Sequence, residues 1–192
     1  MMDYLIIAII SYLLGSIPFG LILTKFFLKK DIRGIGSGNI GATNVLRSGN
    51  KLVGYSTLLL DILKAILPVI YVKLNYPDFI YISSLSVFLG HVFPVWLRFI
   101  GGKGIATYVG ILFSINLIYG LVFVITWIIV FILSKYSSLS SLLGSLSIPI
   151  YLFIISGDQI IFFIIMFVLI FYTHRENIKR LKNKEESKTK IY

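Results

Sequence analysis

The amino-acid sequence predicts an all-α integral membrane protein, a compact bundle of seven short transmembrane helices with the N-terminus outside and the C-terminus in the cytoplasm. Three observations lead to this prediction. Of the 192 residues, 57% are apolar, against about 45–50% in soluble proteins. These apolar residues form long stretches, and a helix needs about 20 residues to cross a bilayer. Basic residues cluster between the stretches, where they report on orientation. A soluble globular enzyme is therefore excluded.

The first three apolar stretches each match one crossing. They are residues 4–27, 52–72 and 79–97. The first lacks the basic start and the small-residue cleavage site of a signal peptide, so we expect it to remain as a span.

The fourth stretch, residues 105–133, is long for one crossing and short for two. A single crossing would leave Lys135 and the basic C-terminal tail outside, although basic loops stay in the cytoplasm. We therefore predict two crossings of about 14 residues each, thin or partly re-entrant, with a turn at residues 114–120 around Asn116 and Gly120. Residues 139–155 and 160–173 complete the seven helices.

Small residues recur at every fourth position in two of these stretches. The two rows are Gly102, Ala106, Gly110, Ser114 and Ser137, Ser141, Ser145. Because small side chains let helix backbones approach closely, we expect both rows to lie in helix contacts.

The glycine loop, residues 31–51, reads DIRGIGSGNIGATNVLRSGNK and is far longer than a connection between two spans requires. Its glycines permit turns that aim successive backbone N–H groups at one point, and Arg47 offers a guanidinium fork for phosphate oxygens. Neutral donors come from Ser37, Asn39, Thr43 and Asn44. We interpret the loop as an oxyanion or phosphate cradle, with a flexible connector as the alternative. A G-x-G-x-x-G match at residues 36–41 lacks the preceding strand that a dinucleotide site needs.

The lysine loop, residues 101–104, reads GGKG and surrounds Lys103 with glycines. It is not a Walker A loop, because Gly104 stands where that motif requires Ser or Thr. A helix that begins here would present N–H groups to an anion. We expect Lys103 to bind phosphate, the alternative being a cytoplasmic anchor. For His91 we expect a hydrogen-bonded place within the helix packing, with a chemical role as the alternative.

Two further pairs stand three residues apart in predicted helices. His174 and Asn177 share a helix face where the last span leaves the membrane, which suits proton transfer and orientation, or else interfacial capping. Asp61 and Lys64 lie inside the second span, where charges are costly and usually paired. We expect a structural pair there, with a pocket role as the alternative. The serines of residues 137–141 are expected to cap and pack a helix.

All the polar clusters at the ends of the spans face the cytoplasm in this topology, so they could line one site. Phosphate-binding groups beside an apolar helix wall suit an amphiphile that carries an acyl chain and a phosphate. The chain has no cysteine and two distant histidines, so no metal or thiol chemistry is predicted.

These motifs resemble those of the bacterial membrane glycerol-3-phosphate acyltransferases that use acyl phosphate, the PlsY family. The resemblance covers nearly the whole chain and rests on several segments in one order. They are GSIPFG at residues 15–20, SGNIGATNVLR at 37–47, LDILK at 60–64, GHVFPVW at 90–96, GGKGIAT at 101–107 and HRENIKRL at 174–181.

The resemblance implies transfer of an acyl group from acyl phosphate to the 1-hydroxyl of glycerol 3-phosphate, which yields lysophosphatidic acid and phosphate. It implies catalytic roles for Ser37, Arg47, His174 and Asn177. It implies substrate binding by Gly38, Asn39, Gly41, Thr43, Asn44, Gly101, Gly102, Lys103, Gly104, Ser138 and Ser141.

The predicted organisation is one transmembrane catalytic domain over residues 1–174 and a basic cytoplasmic tail over residues 175–192. We expect the tail to fray after one or two helical turns and to rest on the anionic leaflet as a solvated anchor. The expected partners are glycerol 3-phosphate, acyl phosphate and membrane lipids, with no cofactor, metal or nucleic acid. We expect a monomer in the bacterial inner membrane with its active site facing the cytoplasm.

The commoner acyltransferases use a histidine followed five residues later by aspartate, but Trp96 follows His91 and Lys179 follows His174. The sequence also has no G-x-S-x-G elbow. Acyl phosphate carries its own leaving group, so direct attack needs no acyl-enzyme. The base is either His174 or a phosphate oxygen of a substrate. A phosphate-ester transporter and a non-catalytic scaffold of a lipid-synthesis complex are the alternative functions.

Overall fold

The structure, a computed structural model, describes residues 2–189 and contains α-helices, short 3₁₀ turns and no strand within that range. The all-α prediction is therefore confirmed for this part of the chain. The described residues divide into two compact units between Ile115 and Asn116.

Four helical segments of the described chain are long and apolar enough to cross a membrane. They are Met2–Leu28, Pro77–Leu97, Leu117–Ser134 and Ser137–Ile154, and the bent pair Ile160–Thr173 with Arg175–Lys182 makes a fifth if it counts as one span. Outward faces carry large apolar side chains: Leu67, Phe153 and Ile161 are 66%, 76% and 69% exposed. A lipid environment suits such faces, so the chain has the character of an integral membrane protein.

The first unit contains six α-helices among its described residues. They are α1 (Met2–Gly15), α2 (Phe19–Leu28), α3 (Ala42–Arg47), α4 (Lys51–Asn75), α5 (Ile80–Val92) and α6 (Ile105–Ile115). The 3₁₀ turns lie at Ile32–Gly34, Pro77–Phe79 and Val95–Leu97.

The predicted first span is interrupted between α1 and α2. Pro18 has no N–H to continue the helical ladder, and α2 begins directly after it at Phe19. The interruption leaves the carbonyl oxygen of Ile17 open to a side chain, and Lys64 Nζ donates to it at 2.8 Å. The break in the helix is thus part of the packing against α4.

Close contacts between helices of the first unit depend on small residues. Gly15 in α1 lies directly against the backbone of Val87 in α5, and a Cβ at Gly15 would overlap that backbone. A buried hydrogen bond of 2.8 Å joins Ser11 and Ser83 in the same pair. Gly110 in α6 packs in the same way against Ile62 of α4, which confirms the predicted packing role of its row at that position.

The second unit contains four α-helices in its described part. They are α7 (Leu117–Ser134), α8 (Ser137–Ile154), α9 (Ile160–Thr173) and α10 (Arg175–Lys182). The predicted break around Asn116 is confirmed, because its Oδ1 accepts the Ile118 N–H at 2.8 Å and caps α7. The flanking helices have 11 and 18 residues, and so they are not the equal halves that we expected.

The serine row of α8 packs against α7. Trp127 Nε1 donates to Ser141 Oγ at 3.2 Å, and a Cβ on Gly144 would lie 3.1 Å from the Phe123 ring. Ser141 and Ser145 are buried, so the prediction that this row makes close helix contacts is confirmed.

The tail leaves the helical conformation after the two turns of α10, as expected, but residues 183–189, here called the C-terminal segment, are not a wholly solvated anchor. After α10 the segment returns to the start of α8, where the Thr189 N–H donates to the Lys135 carbonyl at 2.9 Å. Glu186 is 9% exposed. The basic run by itself does not predict this contact, because the partner residues lie about 50 positions earlier in the chain.

Candidate active site

The glycine loop is organised by the buried side chain of Asn44. Its Nδ2 lies 2.9 Å from the carbonyl oxygens of Ile35 and Asn39 and 3.3 Å from that of Ile32. Its Oδ1 accepts the Ser37 N–H at 2.9 Å. Both polar atoms of the amide are therefore used inside the loop, and Asn44 holds the loop in shape.

Three backbone N–H groups between residues 37 and 41 also donate within the glycine loop. Besides Ser37, the Gly38 N–H donates to the Ile35 carbonyl at 3.0 Å, and the Gly41 N–H donates to Asn39 Oδ1 at 2.9 Å. This differs from the expectation that successive N–H groups converge on an external anion. Positive φ angles of 56° at Gly36 and 70° at Gly38 close the loop on its own asparagines instead.

The side chains at the surface of the glycine loop include Ser37 and Arg47, both of which are exposed. Thr43 is half-buried in the first turn of α3. A second arginine, Arg33, is paired with Asp31 through contacts of 2.6 and 2.9 Å, and this side-chain pairing holds the pKa of Asp31 well below its usual range. The surface of the loop therefore includes the Ser37 hydroxyl and the Arg47 guanidinium.

The lysine loop is fixed to the end of α5 by backbone hydrogen bonds. The Gly101 N–H donates to the Val92 carbonyl at 3.0 Å, and the Gly102 N–H donates to the His91 carbonyl at 3.1 Å. The loop then leads directly into α6, whose ladder begins with the Tyr108 N–H on the Gly104 carbonyl at 2.7 Å.

The glycines of the lysine loop leave no space for side chains. A Cβ on Gly102 would overlap the His91 imidazole, and a Cβ on Gly104 would overlap the Phe88 ring. Gly104 also has a φ of 84°, which an L side chain rarely adopts. Lys103, half-buried between the two glycines, is thus positioned by close packing on both sides.

An ion pair lies behind the lysine loop. Lys64 Nζ is 2.7 Å from Asp61 Oδ1, and each side chain is 3% exposed. His91 Nδ1 is 3.8 Å from the same oxygen, and the His91 ring touches Gly102. The pairing of Asp61 with Lys64 is confirmed. His91 is buried as expected and lies beside both the pair and Gly102, but its Nδ1 has no hydrogen-bond partner among the described residues.

In the second unit, His174 lies at the 63° bend between α9 and α10. Its side chain is buried, and Nδ1 is 2.8 Å from the Ile170 carbonyl oxygen. Because a carbonyl only accepts, Nδ1 carries a hydrogen, and in the neutral ring Nε2 bears the lone pair. The geometry therefore makes Nε2 the nitrogen that can accept a proton.

Three donors converge on the carboxylate of Glu186. Ser138 Oγ and Asn177 Nδ2 each donate to Oε1 at 2.7 Å, and Arg180 Nε donates to Oε2 at 2.6 Å. Burial alone would raise the pKa of Glu186, but these hydrogen bonds outweigh it and the pKa lies below its ordinary value. We call Ser138, Asn177 and Arg180 the anion site, because together they hold an ionised carboxylate.

Sequence reasoning missed two members of this cluster, Arg180 and Glu186. Arg180 follows Asn177 by three residues, so a helix-face argument was sufficient to find it. Glu186 stands in a polar, basic run and has no local signal. Ser141, which the resemblance assigned to substrate, donates instead to the Ser137 carbonyl at 2.8 Å.

Comparison with known proteins agrees with the sequence motifs. The family model for glycerol-3-phosphate acyltransferases matches residues 5–184. The chain is 75% identical over 191 residues to a glycerol-3-phosphate acyltransferase of Pelagibacter ubique, with 100% of each chain covered. It is 47% identical over 186 residues to that of Mesorhizobium japonicum, covering 96% of this chain and 95% of the relative.

Two crystal structures have the same fold. Both are of PlsY, an integral membrane glycerol 3-phosphate acyltransferase, in its glycerol 3-phosphate form and its lysophosphatidic acid form. The TM-scores are 0.92 and 0.88, with 35% identity and coverage of 97% of this chain and 95% of PlsY in both cases.

Proposed function

The chain belongs to the glycerol-3-phosphate acyltransferase family, and on that premise we propose that it transfers a fatty acyl group from acyl phosphate to the 1-hydroxyl of glycerol 3-phosphate. The products are lysophosphatidic acid and inorganic phosphate. Membership in a family of integral membrane acyltransferases sets aside the transporter and the scaffold as primary functions.

The choice of acyl phosphate as donor is supported because the sequence has none of the usual motifs for a nucleophile that would form an acyl-enzyme. There is no cysteine, no nucleophile elbow, and no histidine followed five residues later by aspartate. An acyl phosphate is an activated anhydride whose leaving group is phosphate. The 1-hydroxyl can therefore attack the acyl carbon directly, and binding both substrates in line supplies much of the rate.

The anion site is the observation that supports the proposal most. Ser138, Asn177 and Arg180 each donate a hydrogen bond to one anionic group, the Glu186 carboxylate, at 2.6–2.7 Å. An arginine, an amide and a hydroxyl are equally suited to phosphate oxygens. We assign Ser138 and Asn177 to the binding of a substrate phosphate, and Arg180 to the same task.

In the first unit we assign phosphate binding to Lys103 and Arg47. The glycines at 101, 102 and 104 bring the backbone of the lysine loop close to its neighbours and fix the backbone from which the Lys103 side chain extends. Since three N–H groups between residues 37 and 41 are already used within the glycine loop, we assign stabilisation of the tetrahedral oxyanion to the Ser37 hydroxyl and to the Arg47 guanidinium. Gly38, Asn39, Gly41, Thr43 and Asn44 shape the loop that presents them.

The attacking hydroxyl must lose a proton, and we propose His174 Nε2 as the acceptor. The hydrogen bond from Nδ1 to Ile170 fixes the tautomer in which Nε2 is basic. A phosphate oxygen of either substrate, with a second pKa near 6, is the alternative base.

The topology that we propose has seven crossings, with the N-terminus outside and the C-terminus and active site in the cytoplasm. It is supported by the distribution of basic residues and by the length of α4, which at 25 residues exceeds the roughly 20 that a crossing requires. We further propose that the protein acts as a monomer in the inner membrane and that residues 1–174 form one catalytic domain.

The experiment is an assay of the purified protein and four variants with acyl phosphate and glycerol 3-phosphate, following lysophosphatidic acid. Arg47→Ala and Lys103→Ala are expected to abolish activity or to raise the apparent substrate constant. Arg33→Ala is the matched control, because it removes a cation from the same loop that is already paired with Asp31. Asn177→Ala tests the phosphate-binding role that we assign to the second unit. Unchanged kinetics in Arg47→Ala, Lys103→Ala and Asn177→Ala would remove the site assignment.

A further inference from the structure

The connection between α5 and the lysine loop carries an exposed apolar turn. Residues 95–100 read VWLRFI, and we call them the apolar tip. Val95, Trp96, Phe99 and Ile100 are all exposed, Ile100 to 76%. Because a surface in contact with water rarely gathers so many large apolar side chains in one short turn, the tip has the character of a surface that meets lipid or a protein partner.

The backbone of the tip is hydrogen-bonded within itself and to the end of α5. Six successive N–H groups, from Leu97 to Gly102, each donate to a carbonyl oxygen between His91 and Leu97. Water would satisfy the N–H groups of an exposed loop, whereas a loop that enters an apolar layer must satisfy them internally. The hydrogen bonds of the tip therefore favour lipid over water as its surroundings.

Two residues in the left-handed conformation close the turn. Arg98 and Phe99 have φ angles of 52° and 62°, which are costly for residues that carry a side chain. They reverse the chain so that the Phe99 N–H reaches the Pro94 carbonyl oxygen at 3.0 Å. Such strain persists only where the surroundings compensate for it. Transfer of the exposed apolar side chains from water into lipid supplies that compensation.

The polar groups of the tip suit the boundary of a bilayer. The Trp96 indole N–H donates to Ser16 Oγ at 2.7 Å, so the exposed ring has its polar atom already bonded. Arg98 is exposed, and its long side chain can reach headgroups while its stem lies along apolar surface. Tryptophan is typical of this boundary. The candidate span Pro77–Leu97 also ends within the tip, as expected at the edge of the apolar layer.

The inner side of the tip is joined to both phosphate-binding loops. Leu97 packs against a buried apolar cluster that includes Ile32 of the glycine loop. Gly101 follows the tip directly and donates to the Val92 carbonyl at 3.0 Å, which ties the lysine loop to the end of α5. The depth at which the tip lies in a membrane therefore determines the depth of Lys103.

We propose that the apolar tip inserts into the acyl-chain region of the bilayer beside the lysine loop and holds Lys103 at the depth of the lipid headgroups. The partner of this surface is thus the lipid itself, in the cytoplasmic leaflet of the proposed topology. An acyl phosphate keeps its chain in the bilayer and its phosphate at headgroup depth. The tip brings the lysine loop to the level of the donor, and this consequence rests on the proposed function.

Tryptophan fluorescence measures the depth of the tip. The chain has two tryptophans, so Trp127→Phe leaves Trp96 as the only one. In phosphatidylcholine and phosphatidylglycerol vesicles, lipids brominated in the upper half of the acyl chain should quench Trp96 at least about twofold more than lipids brominated near the chain end. Iodide, which stays in water, should quench it little.

Three results of this measurement would overturn the inference. Quenching by iodide alone would place the tip in water. Quenching by neither iodide nor brominated lipid would show that protein covers the tip, for example a second copy of the chain. Stronger quenching from bromine near the chain end would place the tip too deep to set the lysine loop at the headgroups.

Kinetics in the same vesicles test the consequence for the donor. Phe99→Ser/Ile100→Ser is expected to raise KM for acyl phosphate by roughly three- to tenfold, while KM for glycerol 3-phosphate, which arrives from water, stays within about twofold. Phe99→Leu/Ile100→Leu keeps the apolar character and should retain both KM values. Leu74→Ser is the matched control and should also retain them. Leu74 is likewise 76% exposed, but the length of α5 separates it from the tip.

The kinetic outcomes separate the tip from a general effect on the fold. An equal rise in both KM values of the serine double variant would make the tip only a structural support of the lysine loop and would overturn the inference. Unchanged KM values, or an equal rise in Leu74→Ser, would also overturn it. Absence of lysophosphatidic acid formation by the wild-type enzyme would instead refute the proposed function. The quenching measurement needs no turnover, so the two failures are distinguishable.

Discussion

Lys64 Nζ lies 2.7 Å from Asp61 Oδ1 on α4, and both side chains are 3% exposed. Lys64 also donates to the Ile17 carbonyl at 2.8 Å, and Asp61 Oδ1 lies 3.8 Å from His91 Nδ1, which is beyond hydrogen-bond distance. The pair is therefore bonded to the break between α1 and α2 and lies beside the histidine that packs against the lysine loop.

Breaking this ion pair from one side is expected to destabilise the protein strongly. Lys64→Met leaves the Asp61 carboxylate buried without its cation, which costs about 3–5 kcal/mol in comparable sites. We expect the midpoint of thermal unfolding in detergent to fall on the order of 10 °C. The double variant Asp61→Asn/Lys64→Met, which removes both charges, should recover much of the loss.

The control is Asp78→Asn, which neutralises an exposed acid and should leave the midpoint within experimental error. A double variant as unstable as Lys64→Met alone would show that the pair contributes through packing of the lysine stem rather than through charge compensation.

Gly102 is expected to tolerate no side chain. In Gly102→Ala the new methyl group meets the His91 imidazole, so the lysine loop must move and carry Lys103 with it. We expect KM for glycerol 3-phosphate to rise at least tenfold, since displacements of about 1 Å have effects of that order or larger. Gly34→Ala is the matched control because nothing lies within 4 Å of its new methyl group. Equal KM values for the two variants would contradict the role given to the loop geometry.

The Asn44 side chain is expected to be essential for the shape of the glycine loop. Asn44→Asp keeps the size but replaces Nδ2 by an oxygen that faces three carbonyl oxygens. We expect activity to fall more than about tenfold and the amides of residues 32–41 to exchange faster with deuterium, because donors have become repulsive acceptors.

Asn50→Ala provides the comparison for that experiment. Asn50 caps α4 through the Val53 N–H at 2.9 Å, so its loss should cost roughly 1 kcal/mol of stability with little change in turnover. If both asparagine variants have the same activity, the glycine loop has no special part in the reaction.

His174→Gln is expected to lower kcat by a factor of roughly 10²–10⁴, the usual contribution of a general base. The thermal midpoint should show that the protein remains folded. A drop of only a few fold would discard His174 as the base and leave a phosphate oxygen of a substrate in that role.

Elements with a strong local signal were predictable from the sequence. The helix predicted over residues 160–173 coincides with α9, and Asn116 marks the break before α7 because its side chain caps the following helix. The charged pair on α4 was predictable as well, since Asp61 and Lys64 stand three apart in an apolar segment.

Features that depend on contacts distant in sequence were not predictable. Glu186 reads as part of a solvated tail until Ser138 is placed beside it. Asn44 reads as a ligand donor until the carbonyls of the glycine loop surround its amide. In both cases the residue type suits a ligand or solvent equally well, and only the folded backbone identifies the partner. The number of crossings likewise depends on how the helices lie in the membrane, and helix length alone does not determine it.

The most direct test of the account is phosphorus NMR of the purified protein with acyl phosphate and glycerol 3-phosphate as the only substrates. We predict that the acyl phosphate signal is replaced by inorganic phosphate while an equal amount of glycerol 3-phosphate becomes lysophosphatidic acid. Acylation of glycerol 3-phosphate only after an acyl thioester is added, with acyl phosphate left intact, would contradict it.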